Sequence, residues 1–231
     1  MIKSFLNLIC ISTFLFSSEQ ILLVVSDDFN TSTAKMECYE NGNKIFKTIQ
    51  VNLGKNGLGW GLGELTLHQT KDEPLKYEGD KKAPIGVFKL TSIFGYEKNK
   101  KLHMPYNFAS EKLICVDDSD SKDYNKIILA HGDEKSFEYI KRKDDLYKYG
   151  IVVGHNQNAI KKRGSCIFMH IQRAESIPTL GCTSMKENDI KQIVYWLNKS
   201  KNPILIQIPK SLAKEIIEIY PELKSSKLLH D

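Results

Sequence analysis

A mainly β (α+β) fold, sandwich-like with a few short helices, is what this sequence predicts, and three observations lead there. Short β-branched runs at residues 21–25, 151–154 and 204–208 recur between turn residues, as strands do. Only two stretches carry an apolar helical period: Ile190, Ile193, Val194 and Leu197, and then Leu212, Ala213, Ile216, Ile219 and Tyr220 before Pro221. No internal repeat or low-complexity linker divides the 231 residues, a length that suits one domain with short appendages.

Lys3 is the only charge in the first eighteen residues, and residues 5–16 are mostly apolar. This has the size of a signal peptide and is too short for a membrane span. Residues 1–18 are therefore read as a leader, cleaved near Ser17, Ser18 or Glu19 or kept as an N-terminal anchor. Export is the direction in both cases. Ile9 precedes Cys10, where lipid attachment needs a small residue.

The first mature strand is residues 21–25. Residues 34–39 and 46–51 form a hairpin about Asn41, Gly42 and Asn43. The glycine-rich stretch 54–63 lacks the Gly-Lys-Ser/Thr ending of a phosphate loop and reads as a surface loop bordering a cleft through Trp60. Ala83, Pro84, Ile85 and Gly86 set a turn into a strand over 87–91. The acidic run 117–123 lacks the glycine and closing glutamate of a calcium loop and reads as a solvated turn. Residues 133–149 are charged with scattered aromatics, a surface helix or an irregular excursion. Residues 161–164 are a basic turn.

Lys and Arg number 33 against 28 Asp and Glu, a net charge of +5 with the two signs interspersed. That gives no support to nucleic-acid binding. Four cysteines follow the leader. Cys38 and Cys115 read as buried thiols, with a bridge between them left open. Cys166 lies on a strand over 165–171, roughly 13 Å from His170 at the usual rise per residue, and is read as core packing.

The centre of the chain is residues 169–185, a strand ending in His170, a polar loop, a Gly181-Cys182 turn and a helix start. Ser184 and Glu187 fit a capping box. Cys182 then lies just before a helix N-terminus, where free N–H groups and the macrodipole favour a thiolate. A histidine on a neighbouring strand takes the proton, which makes an activated cysteine nucleophile. Zinc held by His155, His170 and Cys182 or Cys166 is a rival, weakened by the lack of closely spaced ligand pairs. No metal or cofactor is expected.

Residues 178–185, with His170 twelve positions before the cysteine, resemble the active-site motif of the YkuD-type L,D-transpeptidases. Residues 77–90 are similar to that family's Glu-Gly-Asp-x-x-x-Pro-x-Gly-x-Phe segment, and residues 152–156 to the strand end facing its catalytic cleft. The resemblance spans roughly residues 20–210. Leu180 stands where the commonest motif has a histidine and Ser184 where it has an arginine, which marks a divergent branch.

The resemblance implies a YkuD-like β-sandwich catalytic domain over 19–210, with a C-terminal helix and tail over 211–231. It implies acyl transfer from the tetrapeptide stems of peptidoglycan through a Cys182 thioester, with His170 moving the proton. Backbone N–H groups about Gly181, Cys182 and Thr183 would hold the oxyanion. His155, Asn156, Thr179 and Arg173 are the candidate substrate residues, and Arg173 or Arg163 would replace the missing arginine. The expected compartment is the periplasm or cell envelope, with stem peptides as partners and no membrane span after leader removal. L,D-carboxypeptidase action, a non-catalytic wall-binding module and an ordinary cysteine peptidase are the other readings.

Overall fold

The structure, a computed structural model, describes residues 19–98 and 100–230. The expected leader over 1–18 lies outside the described residues. The strands are, in chain order, β1 (Gln20–Ser26), β2 (Thr33–Glu40), β3 (Asn43–Lys44), β4 (Ile49–Asn52), β5 (Leu58–Trp60), β6 (Ala83–Gly95) and β7 (Tyr106–Phe108). They continue with β8 (Leu113–Val116), β9 (Ile127–Leu129), β10 (Phe137–Tyr139), β11 (Tyr149–Val153), β12 (Phe168–Ile171), β13 (Thr183–Met185) and β14 (Ile204–Pro209). Two helices, α1 (Glu187–Trp196) and α2 (Ala213–Ile219), complete the described fold with short 3-10 turns.

The mainly β class with few helices is as expected. The strand pairings, however, describe a closed ring and not two open stacked sheets. The order β1-β14-β6-β11-β12-β13-β4-β2 returns to β1, because β1 pairs with both β14 and β2. Closure leaves these strands without free edges. β1 is buried along its whole length, and its continuous apolar run suits a strand covered on both faces. Leu22, Leu23, Val51, Phe88, Ile151, Met169 and Ile206 fill the main core. Ile190, Ile193 and Val194 of α1 pack into it, as do Ala213 and Ile216 of α2.

A small second sheet, β10-β8-β9, lies outside the ring. A second apolar cluster includes residues of both, with Phe94 and Phe168 from the ring beside Leu113, Ile140 and Tyr147. Cys115 of β8 is disulfide-bonded to Cys166. The open Cys38–Cys115 alternative is thereby replaced, and Cys38 is a buried free thiol. Alternating side chains explain why spacing alone missed the true pair: β12 is shorter than read, and Cys166 precedes it at φ +54°.

Three local readings change in the same way. Residues 83–86 do not turn. Ala83 and Pro84 open the thirteen-residue β6 against β5, where proline's missing N–H is tolerated. The glycine-rich stretch is largely interior: Trp60 is buried in β5 with its indole N–H on Glu73, and it does not border the cavity of Cys182. Residues 133–149 form no helix and instead contribute β10 and the buried Tyr147.

Candidate active site

The site is built by strand register. β12 and β13 run parallel, with Met169 opposite Thr183 and His170 opposite Ser184. Side chains alternate. Met169 and Met185 face the main core, while Phe168 belongs to the outer cluster, with Cys182 packed against it. His170 and Cys182 line one cavity of about 530 Å³. Two residues twelve positions apart are thus brought to one cavity by the adjacent strands β12 and β13.

Cys182 does not stand at a helix N-terminus. β13 intervenes, and α1 begins at Glu187 with no side-chain cap, so the capping box over Ser184–Glu187 does not form. Ser184 is buried in β13 and lines the cavity. Without helix-end stabilisation, burial dominates and pushes the Cys182 thiol up to about 12, helped by the Glu138 carboxylate nearby. Phe168 N–H, at 3.3 Å from Sγ, works in the opposite direction. The resting cysteine is a protonated thiol.

His170 is neutral at pH 7. Burial takes it down to about 4. Its Nδ1 lies 2.8 Å from the Ile171 carbonyl. A carbonyl only accepts, so Nδ1 carries the hydrogen and Nε2 keeps its lone pair. The Tyr147 ring packs edge-on at 5.1 Å and fixes the imidazole plane. A neutral histidine that keeps a lone pair on Nε2, in the same cavity as a protonated thiol, replaces the thiolate expected from a helix end.

The turn before Cys182 is clamped by Thr179. Its hydroxyl donates to the Cys182 carbonyl at 2.6 Å and accepts from Gly181 N–H at 3.1 Å. Thr179 therefore shapes the turn, and the Gly181 N–H is already engaged. Thr183 turns inward, its hydroxyl donating to Gln207 at 2.6 Å, and is absent from the cavity lining. Gly181 adopts φ +142°, and a Cβ there would come within 3.1 Å of the Lys82 carbonyl. Gly181→Ala is expected to cost about 1–3 kcal/mol through backbone strain. A lower melting temperature together with slower Cys182 alkylation would show it, and an unchanged melting curve would contradict it.

His155 and Asn156 are not brought to this cavity. His155 accepts from Leu62 N–H at 3.2 Å and donates to the Arg163 carbonyl at 2.8 Å. Asn156 closes its own loop through Ile160 and Gly164. Both ring nitrogens and both amide atoms thus hold backbone. Arg163 spans to the Lys76 carbonyl and lines a different cavity, whereas Arg173 lines that of Cys182.

Several cavity residues escaped sequence reasoning. Lys76 is buried and paired with Asp80, its ammonium 3.8 Å from where a Gly181 Cβ would sit. Glu78 accepts from Tyr124 and Ser165. Asp117, Glu138 and Arg142 come from the second sheet and the excursion after it. Only the Glu-Gly-Asp stretch carried a signal, since residues 133–149 have no period to read.

The two buried histidines make a pH prediction. Each has its charged form disfavoured by burial, from 6.5 down to about 4. The unfolded chain therefore binds more protons between those values, and the stabilisation present above pH 6.5 is lost as pH falls toward 4. Each histidine contributes up to about 3 kcal/mol. Glu138 is pushed up to about 7 by burial and has the opposite sign between 4.5 and 7, offsetting one histidine. Thermal unfolding at pH 7 and pH 4.5 is expected to show a lower melting temperature at pH 4.5, with the drop reduced in His155→Gln. A flat profile would contradict this.

The family model for the YkuD L,D-transpeptidase catalytic domain matches residues 24–206. The chain belongs to the YkuD family. Its YkuD domain covers the closed ring, the second sheet and the Cys182 cavity. Among solved structures the chain is similar to the helical cell shape determining protein Pgp2 from Campylobacter jejuni. Identity is 15%, with 83% of this chain and 48% of that chain covered and a TM-score of 0.37. A lysine-to-alanine variant of the same protein gives 13% identity, 84% and 48% coverage and a TM-score of 0.38. The chain thus spans about half the length of Pgp2. No curated protein matches it. Among the described residues, no helix is long and apolar enough to cross a membrane.

Proposed function

We propose that this YkuD domain is a peptidoglycan L,D-transpeptidase that transfers an acyl group through Cys182. The observation that carries the reading is the convergence of Cys182 and a tautomer-fixed His170 on one cavity. Cys182 Sγ attacks the carbonyl of the L,D bond in a tetrapeptide stem as its proton passes to His170 Nε2. The C–N bond breaks, and terminal D-alanine leaves with that proton. A thioester remains on Cys182. An amine of a second stem then gives its proton to His170 and attacks the thioester; the C–S bond breaks and the thiol is restored.

The developing oxyanion lies close to the Cys182 turn, where the Cys182 N–H and the Lys76 ammonium supply positive charge. Arg173 is the side chain we assign to a substrate carboxylate, in the role left open by Ser184. The Cys115–Cys166 disulfide supports export to the periplasm or cell envelope, because such bonds persist in oxidising compartments.

Mass spectrometry of purified disaccharide-tetrapeptide incubated with residues 19–231 tests the reading. A cross-linked dimer is expected. Tripeptide alone would replace transfer by L,D-carboxypeptidase action. No product from folded protein would favour a wall-binding module.

A further inference from the structure

The Glu-Gly-Asp stretch reaches the cavity of Cys182 through a lysine just before it. Lys76 lines that cavity, is only 3% exposed, and forms an ion pair with Asp80. A buried ion pair gains little stability over apolar side chains of the same volume. Its place in the cavity wall therefore asks for a chemical reason.

Both partners are held from several sides. The Asp80 carboxylate accepts from Tyr77 N–H at 2.7 Å and from Lys82 N–H at 2.9 Å, across a turn with Gly79 at φ +72°. The Lys76 ammonium donates to Asp80 and, at 2.7 Å, to the Tyr77 carbonyl. An ammonium has three donors. The third meets no acceptor among the described residues.

Two glycines give the lysine its path. A Cβ on Gly164 would come within 3.1 Å of Lys76 Cε, and one on Gly181 would lie 3.8 Å from Nζ. The stem thus passes Gly164, and the ammonium ends beside the bare backbone of Gly181, one residue before the nucleophile. The other cations of this cavity are engaged elsewhere. Arg142 grips Asp144 through bonds of 2.8 and 2.6 Å, and the largely exposed Arg173 leans toward the same carboxylate at 3.8 Å. Against the burial that raises the Cys182 thiol, the Lys76 charge works downward.

We propose that Lys76 is a catalytic residue whose free N–H donates to the oxyanion formed when Cys182 attacks, and that Asp80 is the residue that positions it. This deepens the acyl-transfer reading and rests on it. The positive charge expected of a helix end is supplied by one buried side chain. Asp80 fixes the ammonium before substrate arrives, so little reorganisation is needed as negative charge develops. The bond strengthens in the transition state, and its loss shows in the limiting rate more than in the half-saturating substrate concentration.

Acid-quenched intact-protein mass spectrometry of Cys182 acylation, over a range of tetrapeptide-stem concentrations, tests the pair. Wild type is compared with Lys76→Met, Asp80→Asn and the double variant, with melting temperature as control. The double variant removes both charges together and leaves no unpaired buried charge to unfold the protein. Its limiting rate is expected to fall about 10²- to 10³-fold, with the half-saturating concentration within about threefold of wild type. Asp80→Asn alone should slow acylation by about tenfold to a hundredfold through misplacement of the ammonium. The double variant should be no slower than Lys76→Met, because Asp80 acts through Lys76. A wild-type rate in the folded double variant, a loss confined to half-saturation, or losses that multiply would overturn the pair's role and leave acyl transfer intact. A wild type that never forms the acyl-enzyme would remove acyl transfer and the pair's role with it.

Discussion

Cys182→Ala is expected to lower turnover of a tetrapeptide stem by on the order of 10³-fold or more while leaving the fold intact. Alanine removes the Sγ that accepts from Phe168 N–H at 3.3 Å and donates to the Cys166 carbonyl at 3.6 Å, two weak sulfur contacts. The clamp from Thr179 engages the backbone carbonyl of residue 182 and survives the change. His170→Ala should cost about 10²- to 10⁴-fold, as for a lost general base. The double variant should be no slower than the worse single one, because the two side chains act as a unit. Product formation measured by chromatography, with melting temperature as control, checks both. Near-wild-type activity in Cys182→Ala would remove the nucleophile from the account.

Opening the Cys115–Cys166 bond, by Cys115→Ser with Cys166→Ser, is expected to have the second largest effect. The residues it joins are 51 apart in sequence. A chain-entropy treatment puts the stabilisation at about 4 kcal/mol, and measured values run about 2–4 kcal/mol. The bond also couples two walls of the site. Cys115 sits on the sheet that carries Glu138, while the Cys166 carbonyl lies 3.6 Å from Cys182 Sγ. Loss of the bond should therefore lower denaturant stability and also slow Cys182 acylation at temperatures where the protein remains folded. A reducing agent should reproduce both losses in the wild type. Stability unchanged within error would show that the bond stabilises neither wall.

What the sequence made legible was what local pattern encodes. The runs at 21–25, 151–154 and 204–208 are strands, and the apolar face of α1 lies where its period places it, while on α2 Ala213 and Ile216 are buried and Ile219 is exposed. The turn at Asn41 and Gly42 forms with both residues at positive φ, +50° and +76°, as its chemistry demands, but the expected strand over 46–51 is split into Asn43–Lys44 and Ile49–Asn52, each paired with β2. That His170 and Cys182 line one cavity was legible from the glycine-cysteine turn and the histidine twelve positions before it. What stayed hidden depended on three-dimensional closure. Ser184 looks like a helix cap in one dimension, but parallel pairing with β12 claims it for a strand. Cys166 looked like a member of the His170 strand, and only packing of the outer sheet on the ring brings it to Cys115. Glu138, Arg142 and Tyr147 come from a segment without period, so no pattern marked them as cavity residues.

The central claim is a covalent one, and intact-protein mass spectrometry of an acid-quenched reaction tests it most directly. Wild-type protein mixed with tetrapeptide stem is predicted to gain the mass of a tripeptidyl acyl group, mapped to Cys182 and absent in Cys182→Ala. Product forming at full rate with Cys182 unmodified at every quench time, or equally well in Cys182→Ala, would contradict the account.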